Sequence, residues 1–167
     1  MKRLLCLTLV IATLFMFSGC QNDNKPPQST VTVYYKAANI TFLTQDGVVA
    51  PYDLDATGHE TDNSFLLNAY LTGQVPDGFV ATFPAGTTLK SLNLDGLTAK
   101  IVLDDAFATL KGLDLSIACA CLTRTVISLT GCHEVIISAE TTQLDGKNFI
   151  TLTQDSYLLL DTSANQG

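Results

Sequence analysis

LTAKIVLDDAFATLKGLDLSIACACLTRTVISLTGCHEVIISA, residues 97–139, reads as strand, helix, strand. In its first seven residues Leu97, Ala99, Ile101 and Leu103 alternate with Thr98, Lys100 and Val102, the period of a half-buried strand that stops at Asp104 and Asp105. Leu115, Cys119, Leu122, Val126 and Leu129 then recur at steps of four and three. They share one face of a helix, with Ser116, Thr123, Arg124 and Ser128 mostly on the other side. Gly131, just past the last periodic residue, is the expected helix stop. Val135, Ile136 and Ile137 form a β-branched run bounded by polar residues, the mark of an interior strand.

Upstream, Asp95-Gly96 between apolar runs predicts an antiparallel hairpin of residues 87–94 with residues 97–103. Phe65, Leu66, Ala69 and Tyr70 make a short helical stripe, with Asp62 or Asn63 as N-cap and Gly73 at its end. Val31 to Lys36 alternates as a first strand, and Ile40 to Leu43 with Gln45-Asp46-Gly47 suggests a hairpin. Pro76-Asp77-Gly78, Pro84-Ala85-Gly86 and Leu144-Asp145-Gly146-Lys147 are turns. Phe149 to Thr153 and Tyr157 to Leu160 read as terminal strands.

The chain's 167 residues fit one domain with an N-terminal extension. Lys2 and Arg3 precede an uncharged apolar run, Leu4 to Phe17, too short to span stably and typical of a signal peptide. It ends in Phe17-Ser18-Gly19-Cys20, which resembles the lipobox of bacterial lipoproteins, where the cysteine is acylated and becomes the mature N-terminus. Residues 1–19 are thus expected to be a signal peptide, and 20–30 a lipidated Cys20 with a polar tether (QNDNKPPQST). Residues 31–162 form the domain, and 163–167 a tail.

Without residues 1–19, seven basic and sixteen acidic residues leave a net charge of −9. Such a surface repels phosphates and anionic headgroups, so nucleic acid is not an expected partner. Membrane attachment falls to the acyl chains. Three cysteines remain in the domain. Cys119 and Cys121, two positions apart on a helix, point apart; a Cys121–Cys132 bridge is conceivable, but small buried hydrophobes are the simpler reading. Their spacing matches no zinc site.

Asp53, Asp55, Thr57 and Gly58 fall where a calcium loop places its early ligands and glycine. Ser64 replaces the closing glutamate, however, and Glu60 stands where an apolar residue belongs, so a solvated acidic loop is expected over residues 53–64. There is no G-x-S-x-G, no H-E-x-x-H and no phosphate-binding glycine loop. His59 and His133 each adjoin a glutamate, but sequence neighbours on a turn or strand point apart. Asp104 and Asp105 fit a strand-end or capping role better than a catalytic carboxylate pair. No catalytic residue, cofactor or metal is expected.

Leu67-x-x-Tyr70-Leu71-x-Gly73, Phe83-Pro84-Ala85-Gly86-Thr87-x-Leu89, Asp95-Gly96-Leu97-x-Ala99-x-Ile101-x-Leu103 with Asp104 and Phe107, and Leu129 to Ile137 together resemble the sporulation and spore germination domain GerMN. The resemblance spans roughly residues 31–147 and finds no second copy of the domain. It implies an α+β fold, a β-α-β-β-α-β-like unit similar to ring-building motifs, with extra terminal strands. It also implies no cofactor and no catalytic residue. Family members are commonly tethered outside the cell membrane and act in protein assemblies of the envelope. The expectation is therefore a non-catalytic, lipid-anchored extracytoplasmic module whose partners are envelope or sporulation proteins; the alternative is a cell-wall (peptidoglycan) or small-ligand binding module and, behind it, a hydrolase. Sheet edges and the polar helix face are the surfaces expected to associate, with Arg124, a lone base opposite the apolar stripe, as the informative position.

Overall fold

A computed structural model describes residues 29–39 and 48–156. The expectations for residues 1–19, Cys20, the tether up to Gln28, the Ile40–Leu43 hairpin, Tyr157–Leu160 and the tail lie outside the described residues.

Strands β1 (Thr30–Ala37), β2 (Val49–Asp55) and β3 (Phe79–Val80) form a sheet of order β2-β1-β3, all antiparallel. Strands β4 (Leu89–Asp95), β5 (Thr98–Leu103), β6 (Glu134–Ala139) and β7 (Ile150–Thr153) form a second sheet in chain order, parallel only between β5 and β6. Helix α1 (Asn63–Thr72) joins β2 to β3 within the first sheet, and α2 (Gly112–Thr130) is the crossover that makes β5 and β6 parallel. The class is α+β, as expected, with the first strand placed apart from β4–β7, in a sheet with β2 and β3.

The hairpin between β4 and β5 closes Asp95 on Thr98, leaving Gly96 and Leu97 as its two turn residues. Gly96 takes φ +61° while Leu97 stays at negative φ, the pattern of a type II′ turn, which needs glycine first. Leu97 is therefore a turn residue, 60% exposed, and not the first inward residue of β5. Its carbonyl accepts from the N–H groups of His133 (2.8 Å) and Glu134 (3.2 Å), tying the hairpin tip to the start of β6.

Helix α1 is capped by Asp62, whose carboxylate accepts from the Phe65 N–H at 2.9 Å. Its buried face is Leu66, Leu67, Tyr70 and Leu71, while Phe65 turns outward to stack on His59 with ring centroids 3.6 Å apart. The stripe expected from Phe65 and Ala69 is thus rotated toward Leu67 and Leu71.

Helix α2 ends where expected: Gly131 is left-handed at φ +70° and its N–H reaches the Ile127 carbonyl at 2.8 Å. The helix packs against β1, β2, β6 and β7. Leu115, Cys119, Leu122 and Val126 join the main core with Ile101, Val135 and Ile137, while Ile117, Ala120 and Cys121 pack on Val49 and Tyr34. Two-sided burial explains why its 19 residues are apolar enough to cross a membrane although it is a core helix. It also corrects the expected polar face, because Thr123 and Thr125 are fully buried.

Candidate functional site

Strand β1 meets α2 through its backbone. Tyr34 lies opposite Pro51 of β2, which has no N–H to give, and the Tyr34 peptide faces the helices. Its N–H donates to Thr125 Oγ1 at 2.9 Å, and its carbonyl accepts a short hydrogen bond from the Tyr70 hydroxyl. Two residues on, the Lys36 N–H donates to Thr82 Oγ1 at 3.2 Å. Side-chain hydroxyls thus satisfy β1 where strand pairing runs out. Burial raises the Tyr70 hydroxyl well above its ordinary pKa, and burial beside Tyr52 raises that of Tyr35 to about 12.

Arg124 is half-buried, and its guanidinium lies 4.2 Å from the centroid of the Tyr34 ring, a cation–π seat. The residue thus helps fasten α2 to β1.

The paired aspartates are structural ligands of the backbone. Asp104 accepts from the N–H groups of Thr88 (2.7 Å) and Ala106 (3.1 Å), joining the start of β4 to the end of β5. Asp105 accepts from the N–H groups of Thr141 (2.9 Å) and Thr142 (3.0 Å) and from the Thr141 hydroxyl. The Thr141 hydroxyl, more than any other contact, holds the Asp105 carboxyl below its ordinary pKa. His59 and His133 are both exposed, and no ion pair joins either to its neighbouring glutamate.

The acidic loop starts later than expected, since Asp53 and Asp55 complete β2 and Asp53 accepts from Thr32 Oγ1 at 3.3 Å. The Asp55 carboxylate accepts from the Thr57 N–H at 2.9 Å, and Glu60 folds back to the Gly58 N–H at 3.1 Å. Among the described residues no group of three or more His, Cys, Asp or Glu is placed to hold a metal ion. Cys119, Cys121 and Cys132 are free and buried; burial pushes the first two thiols up to about 12, which leaves them unreactive as nucleophiles.

Two surface features remain. A cavity of about 380 Å³ beside the Gly73–Asp77 loop is lined by Tyr35, Tyr52, Leu54, Gln74, Val75 and Asp77. The second feature is the outer edge of β4, which sequence reasoning named only as a sheet edge. Among the described residues no strand pairs with that edge. Its first N–H, from Leu89, is capped by Asn68 Oδ1 of α1 at 3.2 Å, and the register shifts between Leu89 and Ser91. Beyond that irregularity Asn93, Leu94 and Asp95 are exposed, with Leu94 at 52%.

These features define a small α+β domain that offers a sheet edge and an aromatic cavity to its surroundings, with Asp104 and Asp105 bound to its own backbone. No family model matches the sequence, and no curated protein matches it. Among solved structures, the first GerMN domain of the sporulation protein GerM from Bacillus subtilis is similar with a TM-score of 0.56 and 18% identity, over 72% of this chain and 91% of that one. The tandem GerMN domains of the same protein give a TM-score of 0.53 and 19% identity, over 72% of this chain and 44% of the tandem pair. The fold is GerMN-like.

Proposed function

We propose that the protein is a lipoprotein anchored through Cys20 to the outer face of the cell membrane, its GerMN-like domain a non-catalytic protein-interaction module in envelope, sporulation or germination assemblies. The observation that carries this reading is the fold shared with the first GerMN domain of a sporulation protein. The structural employment of Asp104 and Asp105 supports the non-catalytic part, because neither carboxylate is held free for a substrate. Arg124 is the helix contact to test, since it keeps partial exposure beside its seat on Tyr34.

Cys20→Ala should abolish lipidation and with it the acylated, membrane-held mature form; processing and fractionation identical to the wild type would refute the anchor. Amine crosslinking in membranes should recover envelope proteins with the full chain. Arg124→Met, which loses the cation but keeps an apolar stem, should reduce that recovery if the helix face is used, while costing only about 0.5–2 kcal/mol of stability.

The cavity beside Tyr52 favours a second reading, a cell-wall or small-ligand binding module, because an exposed aromatic ring with nearby amide and carboxylate groups suits a polar, ring-bearing ligand. Retention on muropeptide resin that is lost in Tyr52→Ala would select it.

A further inference from the structure

We infer that the open edge of β4 pairs antiparallel with β4 of a second copy of this chain, about a two-fold axis at Asn93. This deepens the protein-interaction reading by naming one partner and its surface, and it rests on that reading.

The hairpin register determines which backbone groups are on offer. Asp95 and Thr98 close a two-residue turn, so they form a hydrogen-bonded pair, and the pattern alternates back along the strand. Asn93 and Ser91 then face β5, while Leu92 and Leu94 turn their N–H and C=O groups to the open edge. Their side chains lie on the core face of the sheet, in line with Ile101 and Ala99 respectively. At this end of the strand Leu94 stays half exposed, and Leu97 beyond the turn prolongs the apolar strip. The fold protects the start of the edge with Asn68 and an irregularity at Lys90, yet leaves Ser91 to Asp95 straight and unpaired among the described residues, the condition under which an edge becomes a template.

A second β4 fits this template in one register better than in its neighbours. With Asn93 opposite Asn93 of the second copy, Leu92 meets Leu94 of the second copy and Leu94 meets Leu92 of the second copy. The outward backbone groups of both strands are then used, and four leucines gather on one face. Ser91 lies opposite Asp95 of the second copy, so no like charges face each other, and Lys90 falls beside that aspartate at each end. Moving the axis to Leu92 sets Lys90 against Leu94; moving it to Leu94 sets Leu92 against Gly96. A slip by a single residue in the pairing turns the apolar side chains to the opposite face. The interface is self-complementary, as a two-fold dimer requires.

Asn93 sits on the axis at a non-hydrogen-bonded pair, where facing side chains approach most closely and cysteines can bridge. Oxidation of membranes from cells making the full chain with Asn93→Cys should therefore yield a disulfide-linked dimer on non-reducing gels. Ser91→Cys and Asp95→Cys, each monomeric alone, should give a mixed dimer when coexpressed. Lys100→Cys, one strand inward, should give none, and the wild type, whose domain cysteines are buried, serves as background. The inference is overturned if Asn93→Cys dimerises no more than Lys100→Cys, if the mixed pair fails, or if Asn93→Cys captures a different protein in place of a second copy. Envelope partners still recovered by amine crosslinking while the cysteine dimer is absent would sink this pairing alone. A cysteine dimer with no other envelope protein recovered would instead overturn the assembly reading of the preceding section.

Discussion

Strand β1 hangs on α1 and α2 by the peptide of Tyr34, and breaking that attachment one hydroxyl at a time has a calculable cost. Thr125→Val keeps the shape of a fully buried side chain but removes the acceptor 2.9 Å from the Tyr34 N–H. Tyr70→Phe removes the donor to the Tyr34 carbonyl from a fully buried ring. A buried backbone group left without a partner costs about 1–3 kcal/mol, so each variant should lose about that much. The two effects should not add. The Tyr70 and Thr125 hydroxyls also interact with each other, and both serve one peptide, so the first loss loosens what the second would break. A double-mutant cycle should return a coupling of about 0.5–2 kcal/mol. Urea titrations followed by circular dichroism measure it, with an unchanged m-value as the check that the unfolded state is the same. Single losses under about 0.3 kcal/mol, or additivity within that margin, would mean that the clamp does not hold β1.

Leu122→Ala and Val126→Ala each empty a fully buried position of α2 in the main core, and each should cost about 1.5–4 kcal/mol in the same titration. Stability should also fall in alkali. Tyr35, Cys119 and Cys121 keep their protons up to about 12 in the fold, against ordinary values of 10.0 for the tyrosine and 9.0 for the thiols. Their raised folded pKa values mean that the unfolded chain releases protons first. The contribution is therefore intact below about pH 9 and is lost progressively between about pH 9 and 12. A urea midpoint that stays flat from pH 8 to 11 would refute it.

The β5-α2-β6 unit was legible because its apolar residues repeat with the period of the element that holds them, and Asp95-Gly96 marks its hairpin directly. The β2-β1-β3 sheet was not, since alternation in Val31 to Lys36 says that a strand exists and not which neighbours it chooses. Strand β2 hid behind Pro51, Asp53 and Asp55, residues that depress strand propensity yet suit an edge, where proline loses no ladder bond. On α2, Thr123 read as solvent-facing because periodicity assumes one buried face; a helix covered on both flanks breaks that assumption. The seat of Arg124 on Tyr34 was equally hidden, since a base above a tyrosine ring leaves no trace in spacing. The edge of β4 became specific only when the hairpin register showed which amides point outward. Cys20 and the tether lie outside the described residues and rest on sequence alone.

Cys119 and Cys121, two residues apart on α2, are buried in different clusters, the first with Ile101 and Val135 and the second with Val49. Nature has thereby installed a pair of internal clocks. Neither thiol can meet a reagent until the layer above it lifts, so the domain should hold its shape alike in oxidising and reducing surroundings. The rate at which each sulfur becomes modified then times the lifting of the cluster that covers it, without any label added to the chain.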